Sequence, residues 1–250
     1  MKNIRISLAD IKISAEINYP STERFCKDYI VEFDEPQLSV SVLSSDISFE
    51  RDKYHADCKK HGCKALDFSD AYFETLALYR KICDGLLLYD TVLFHGSALS
   101  VDGEGFVFTA KSGVGKSTHA RLYREMLGES VEMINDDKPL IRITDGGAYA
   151  YGTPWCGKHR LASNISRRIS AICMISRAEE NRIRRISKND AFPIILSQMH
   201  HPQGAASREK TFLLTDKLLK SVEVYRLECN TDVDAARVSY DAMRRSRDEN

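Results

Sequence analysis

The sequence predicts an α/β fold with a mixed sheet, and three observations lead to this expectation. Apolar and polar residues alternate over 3–16, 29–33 and 37–43, which is the pattern of half-buried strands. The apolar period becomes helical over 69–89. Further on, a hairpin turn at 102–103 joins predicted strands at 91–101 and 105–109, so neighbouring strands there run antiparallel, and a helical pattern follows. A sheet with both strand directions is therefore expected.

Length and composition limit the class of protein. The 250 residues suffice for one large or two small domains, and 43% hydrophobic with 29% charged residues is ordinary for a soluble globular protein. The formal net charge is zero, so nothing global favours nucleic acid or a membrane surface as a partner. No apolar run reaches transmembrane length and no signal-peptide core follows Met1. The seven irregularly spaced cysteines then predict reduced thiols in a cytoplasmic protein.

The pattern divides the chain into a β-rich N-terminal region, 1–68, and a larger domain, 69–250. The first fifty residues predict a small antiparallel sheet. Residues 50–66 are charged and irregular, which predicts a loop, and residues 69–89 predict a helix that links the two parts.

Two histidines and two cysteines lie close together in the predicted loop. They are His55, Cys58, His61 and Cys63. Their spacing matches no standard zinc finger, and no second Cys/His pair lies nearby in the sequence. The spacing favours a solvated surface loop, with a zinc site as the alternative.

Residues 110–118, Ala-Lys-Ser-Gly-Val-Gly-Lys-Ser-Thr, have the context of a phosphate-binding P-loop. A β-rich segment at 105–109 precedes them and a helical pattern at 118–127 follows. The backbone N–H groups of such a loop and the helix N-terminus favour an anion. Ala110 replaces the first glycine of the pattern, which costs little unless that residue needs a positive φ. The predicted nucleotide-binding residues are Ser112, Gly113, Val114, Gly115, Lys116, Ser117 and Thr118.

Acidic residues follow the next predicted strand. The strand at 130–134 ends in Asn135-Asp136-Asp137, roughly 20 residues past the loop, which is the placement of a metal site in P-loop proteins. We expect Lys116 to reach the β- and γ-phosphates, and Ser117 with one carboxylate, Asp137, to hold Mg²⁺. The other carboxylate can accept a proton from an attacking hydroxyl, although the sequence leaves open which does which. The alternative is a solvated Asn-Asp-Asp turn.

A loop at 152–160 carries the one tryptophan of the chain. Trp155 is followed by Lys158, His159 and Arg160. A tryptophan beside cations suits an anionic or flat substrate, and it equally fits a ring that anchors the loop to the core. The other predicted elements are a hairpin of 140–144 and 148–151, strands at 169–175, 182–186 (as its partner) and 223–227, and helices at 189–200, 206–220 and 231–243.

Three strings together resemble the HPr kinase/phosphorylase group, which shares its P-loop core with ATP-dependent phosphoenolpyruvate carboxykinase. The strings are His95-Gly96-Ser97, the loop at 110–118 and the tandem Asp136-Asp137. The resemblance covers about residues 91–140. It implies a mixed-sheet P-loop core like the HPr kinase C-terminal domain, with a small β-rich N-terminal region and a linking helix.

The resemblance also implies an activity, which is transfer of the γ-phosphate of ATP to a hydroxyl with the help of Mg²⁺. It makes His95, Lys116, Asp136 and Asp137 the catalytic residues and a small molecule or a peptide serine the acceptor. HPr kinases form hexamers, so a homo-oligomer fits the resemblance. The chain lacks a counterpart of the Arg-containing C-terminal signature of true HPr kinases, so HPr itself is not implied as the acceptor. A non-catalytic ATP-binding regulator or peptide-binding partner is the alternative function.

Overall fold

A computed structural model describes residues 1–111 and 113–245, without the Arg245 side chain. The chain folds as two compact units, Met1–Tyr89 and a second unit that begins at Asp90. The boundary at 68/69, with 69–89 as a link, stays a prediction. None of the described helices combines the length and the apolar character that a membrane span requires.

The first unit contains a three-stranded sheet and three helices in its described residues. Its elements are β1 (Lys2–Leu8), β2 (Ile11–Ile17), α1 (Pro20–Phe25), β3 (Leu38–Ser41), α2 (Ser44–His61) and α3 (Asp70–Leu86). Strands β1 and β2 form an antiparallel hairpin, from the pair Lys2 and Ile17 to the pair Leu8 and Ile11. Alternate residues of β2 are buried, which confirms the strand pattern.

Two predictions for the first unit are wrong. Strand β3 pairs with β2 in parallel, where an antiparallel sheet was expected. Helix α1, which begins at Pro20, lies between the two strands in sequence and returns the chain to the starting edge, as parallel pairing requires. The predicted strand at 29–33 is absent from the described strands, because Lys27–Tyr29 form a 3₁₀ turn and Ile30 makes an isolated bridge with Ile6.

Most of 50–66 lies in helix α2, so the prediction of an irregular loop is also wrong. The Asp46 carboxylate accepts the backbone N–H of the residue before the helix, and Gly62, at φ 64°, ends it. Arg80 of α3 pairs with Glu50 and Asp46 of α2. The charges that suggested a loop therefore belong partly to an interface between two helices.

The histidines and cysteines of this segment do not form a metal cluster in the structure. Cys58 is buried, whereas His55, His61 and Cys63 are exposed. Throughout the described part of the chain, no three side chains among His, Cys, Asp and Glu converge as metal ligands. The arrangement gives the zinc alternative no support.

The second unit is a curled mixed sheet with helices packed on it. Its strands are β4 (Thr91–Leu93), β5 (Ser97–Val101), β6 (Glu104–Thr109), β7 (Val131–Asn135), β8 (Leu140–Thr144), β9 (Gly147–Tyr151), β10 (Ser166–Arg177), β11 (Arg182–Arg185) and β12 (Glu223–Cys229). Its helices are α4 (Lys116–Leu127), α5 (Lys188–Gln198), α6 (Ala205–Ser221) and α7 (Val233–Arg245). The strand order is β4-β8-β9-β10-β6-β5-β7, with β12 paired to β10 and β11.

Both strand directions occur in this sheet, as the sequence predicted. Strand β10 pairs in parallel with β6 and β12, whereas β5 and β6 form the predicted antiparallel hairpin. Strand β5 is also antiparallel to β7. Strands β6 and β7 therefore run in the same direction, and their carboxyl ends lie at the same edge of the sheet. This topology brings the segment after β6 close to the segment after β7.

Two details of the second unit differ from the predictions. The segment 91–101 is two strands, because the chain changes partners at 94–96: β4 pairs with β8, whereas β5 pairs with β6 and β7. Strand β11 pairs with β12 and not with β10. The edge of β10 that β11 was expected to fill is occupied by β12.

Gly152 follows β9 and lies so close to neighbouring backbone that no side chain fits. An added Cβ would be 1.8 Å from the carbonyl oxygen of Ser163 and 2.8 Å from that of Ile134. We expect Gly152→Ala to lower the free energy of unfolding by about 3 kcal/mol, because the backbone must shift. Urea unfolding measures the change, with Gly146→Ala as the control, where the nearest atom is a tyrosine hydroxyl at 3.3 Å. Equal effects of the two substitutions would contradict the expectation.

Candidate functional site

The glycine loop, residues 110–115, connects β6 to α4. Among its described residues, two glycines have positive φ angles, Gly113 at 77° and Gly115 at 132°, where a side chain would strain the backbone. Ala110 is not among the described residues with a positive φ, so an alanine is tolerated there. Ser112, a predicted nucleotide-binding residue, lies outside the described residues.

A cleft of about 700 Å³ lies between the glycine loop and the segment after β7. The predicted site residues that line it are His95, Gly113, Gly115, Lys116, Ser117, Thr118, Asp136, Asp137, Lys158 and His159. Val114 lines a smaller cavity of about 140 Å³, which shares Gly113, Gly115 and Thr118 with the cleft. Residues from four separate stretches of sequence therefore meet in one place.

Lys116 is the first residue of α4, and 8% of it is exposed. Its Nζ donates a hydrogen bond to the carbonyl oxygen of Ala110 at 3.2 Å. Burial lowers the pKa of the Lys116 ammonium group, and the negative charge of Asp137 partly opposes this effect. An anionic ligand stabilises a cation that has lost much of its hydration. The first turn of a helix also favours a negatively charged ligand.

Asn135, to which the sequence assigned no role, holds the tandem aspartates in place. It is fully buried, and its Nδ2 donates to both oxygens of Thr153 and to the carbonyl oxygen of Trp155 at 3.1–3.2 Å. Its Oδ1 accepts the backbone N–H groups of Asp137 at 2.9 Å and of Lys138 at 2.7 Å. The Asn-Asp-Asp string is thus a hydrogen-bonded junction in which Asn135 and Asp136 are buried and Asp137 is partly exposed, and this disfavours the alternative of a solvated turn.

The two carboxylates of the pair have different surroundings. Asp136 is 3% exposed and its Oδ1 accepts the N–H of Gly157 at 2.6 Å. Asp137 lies with Oδ1 3.5 Å from His95 Nε2 and Oδ2 3.2 Å from Lys138 Nζ. Burial alone raises the pKa of Asp137, but the hydrogen bond from His95 and the charge of Lys138 outweigh it and bring the pKa to about 2. Asp137 is therefore ionised at neutral pH and accepts protons weakly.

The lowered pKa of Asp137 makes part of the stability depend on pH. A carboxyl group whose pKa falls from 3.8 to about 2 on folding stabilises the fold above pH 3.8, and this contribution disappears as the pH falls through about 2. The side chain is 28% exposed, so screening reduces the contribution to roughly 1 kcal/mol. We expect the free energy of urea unfolding of wild type to exceed that of Asp137→Asn by this amount at pH 6, and the difference to decrease towards pH 2. A margin that stays constant over this range would contradict the expectation.

Trp155 and Arg160 do not line the cleft. Trp155 is 4% exposed, which leaves its ring no open face for a flat substrate and favours the anchoring alternative. Arg160 is exposed, at φ 52°. Of the predicted substrate-binding residues, Lys158 and His159 are the two that reach the cleft, and both have exposed side chains.

Two arginines of α4 line the cleft although the sequence did not single them out. Arg121 and Arg124 stand four and seven residues after Ser117. Positions i, i+4 and i+7 share one face of a helix, so this spacing was the signal that could have found them. Gly157, Met133 and Leu161 also line the cleft.

Comparison with known proteins shows a likeness to solved structures and none to a family model or a curated protein. No protein family matches the sequence, and no curated protein matches it. Among solved structures, the chain is similar to the Hpr(Ser) kinase/phosphatase from Coxiella burnetii, with 9% identical residues and a TM-score of 0.36. The alignment covers 63% of this chain and 97% of that one. A likeness this distant carries no argument about function.

Proposed function

We propose that the protein is a kinase that transfers the γ-phosphate of ATP to a hydroxyl group with the help of Mg²⁺, on an HPr kinase-like P-loop core. One observation carries the proposal. The glycine loop with Lys116 and Ser117 is one stretch of the chain and the two aspartates are another, and both line the same cleft. An anion-binding helix N-terminus opposite two carboxylates is the arrangement that phosphoryl transfer requires.

The nucleotide phosphates would lie on the glycine loop. Gly113 and Gly115 let the backbone turn so that successive N–H groups can donate to phosphate oxygens. Lys116 would exchange its hydrogen bond to Ala110 for one to a β- or γ-phosphate oxygen. This exchange stabilises the charge that develops on the phosphates as the transferred group leaves.

Ser117 and Asp137 fit Mg²⁺ by their chemistry. Both offer oxygen atoms, both line the cleft, and the low pKa of Asp137 keeps its carboxylate charged. Proteins hold Mg²⁺ through one or two carboxylates together with substrate phosphates, so a larger cage of side chains is not needed. When bound, the ion neutralises phosphate charge. His95, at 3.5 Å from Asp137, would orient that carboxylate.

Asp136 is then the general base. One of its oxygens is held by Gly157, and the carboxylate lines the cleft. In the transfer step the acceptor oxygen forms a bond to the γ-phosphorus while the bond from that phosphorus to the β–γ bridging oxygen breaks. The hydroxyl proton passes to Asp136, and ADP leaves. The acceptor is a hydroxyl-bearing small molecule or a peptide serine.

We propose that the protein acts in the cytoplasm. All seven cysteines are free, which fits a reducing compartment.

Calorimetric titration with ATP tests the first half of the proposal. We expect one ATP per chain to bind, more tightly with Mg²⁺ than without it. The double variant Asp136→Asn, Asp137→Asn tests the second half, since a non-catalytic regulator has no need of the base. If the double variant replaces the wild-type protein in the cell without loss of function, the kinase assignment is contradicted and the non-catalytic regulator is favoured.

A further inference from the structure

The cleft extends well beyond the part that the phosphates of ATP occupy. Helix α4 rises about 1.5 Å per residue, so Arg124 lies roughly 12 Å further along the helix axis than Lys116. Arg121 and Arg124 nevertheless line the same cleft. Phosphates bound at the N-terminus of α4 would lie about two helical turns from the backbone of Arg124.

The cleft contains basic side chains beyond His95 and Lys116, and most of them have no carboxylate partner among the described residues. Within the residues that the structure describes, no carboxylate pairs with Arg124, Lys158 or His159. Arg121 is paired with Glu125, one turn further along α4. The two carboxylates of the cleft already accept from other groups, Asp136 from Gly157 and Asp137 from His95 and Lys138.

Apolar side chains accompany these cations. Met133, which is 8% exposed, Leu161 and Ala120 also line the cleft. A ligand that fits the cleft has a carbon body to contact the apolar side chains and an anionic group to pair with the cations. Arginine suits a phosphate or a carboxylate because its planar group can donate two parallel hydrogen bonds.

We infer that the acceptor is an anionic hydroxyl compound, which carries a phosphate or carboxylate group near the hydroxyl that is phosphorylated. Arg124 and Lys158 bind the anionic group, and His159 adds a third donor. This inference rests on the proposed kinase function and names the class of its acceptor. A neutral polyol, or a serine in an uncharged peptide, leaves the cations of the cleft without a partner.

The test compares acceptors that differ in one anionic group. One pair is glycerol 3-phosphate and glycerol, and the other is a serine peptide flanked by glutamate and the same peptide flanked by glutamine. Binding is measured with Mg²⁺ and the non-hydrolysable ATP analogue AMP-PNP in the cleft. We expect the anionic member of at least one pair to bind ten-fold or more tightly than its neutral partner, and the pair that responds identifies the source of the anion.

The variant Arg124→Gln, Lys158→Gln should lose that preference while its affinity for AMP-PNP stays within about two-fold. Arg124→Lys keeps the charge and should retain part of the preference. Arg184→Gln, at an exposed position on β11, is the matched control.

Equal binding of the charged and neutral members in both pairs overturns the inference and leaves the kinase proposal intact. Failure of AMP-PNP to bind wild type overturns both.

Discussion

Replacement of Lys116 by alanine should lower kcat/KM for phosphate transfer by about a thousand-fold, which corresponds to about 4 kcal/mol of transition-state stabilisation. The magnitude follows from the position of the side chain. Lys116 is buried at the start of α4, and its ammonium group has a lowered pKa because burial removes water from it. A preorganised cation in such a place stabilises developing phosphate charge far more than one in water does.

The Lys116→Ala protein should fold, because the substitution removes a partly desolvated charge and, with it, the one hydrogen bond from Nζ to the carbonyl oxygen of Ala110. Circular dichroism and urea unfolding check this point. Lys188→Ala, at an exposed position in the first turn of α5, is the matched control and should keep wild-type kinetics. A Lys116→Ala variant with kcat/KM within ten-fold of wild type would mean that the lysine does not contact the transferred group.

Replacement of Asp136 by asparagine should lower kcat by about a thousand-fold while the affinity for ATP stays close to that of wild type. Loss of a general base costs 10²–10⁴ in rate. Asparagine has the shape of aspartate, and its carbonyl oxygen can still accept the N–H of Gly157, so the loop that carries Lys158 keeps its place. Steady-state kinetics separate the two parameters.

The two aspartates should respond differently to the same change. Asp137→Asn removes the carboxylate that we propose as the Mg²⁺ ligand, so more Mg²⁺ should restore part of its activity, whereas Asp136→Asn should not respond to Mg²⁺. Asp145→Asn, in the exposed turn between β8 and β9, is the control for a lost negative charge. If Mg²⁺ rescues Asp136→Asn instead, the roles that we assign to the two carboxylates are reversed.

The sequence predicted the centre of the candidate site because the relevant signals are local. The strand, the glycine loop and the helix follow one another in the chain, and the hairpin turn at 102–103 sets the direction of the strand between them. Asp136 and Asp137 stand at the end of the next strand, which the same topology brings to the same edge. Short-range patterns were therefore enough to place these groups together.

Other features depend on packing between distant parts of the chain, which a local pattern does not contain. The charged helix α2 is stabilised by Arg80, which lies in the next helix, so its own sequence resembles a loop. The loop that carries Trp155 is held by hydrogen bonds from Asn135 to Thr153 and Trp155, and no sequence motif indicates these bonds. Strand β11 pairs with β12, which the order of elements along the chain did not reveal.

Transfer of label from γ-labelled ATP tests the central claim most directly. Wild-type protein with Mg²⁺ is incubated with pools of phosphorylated and unphosphorylated hydroxyl metabolites, free serine and threonine, and serine peptides, beside the Lys116→Ala and Asp136→Asn proteins. We expect label to appear in at least one pool with wild type and to fall to background with both variants. Transfer that persists at the wild-type rate in both variants, or ATP binding without transfer to any pool, would contradict the account of this cleft as a kinase active site.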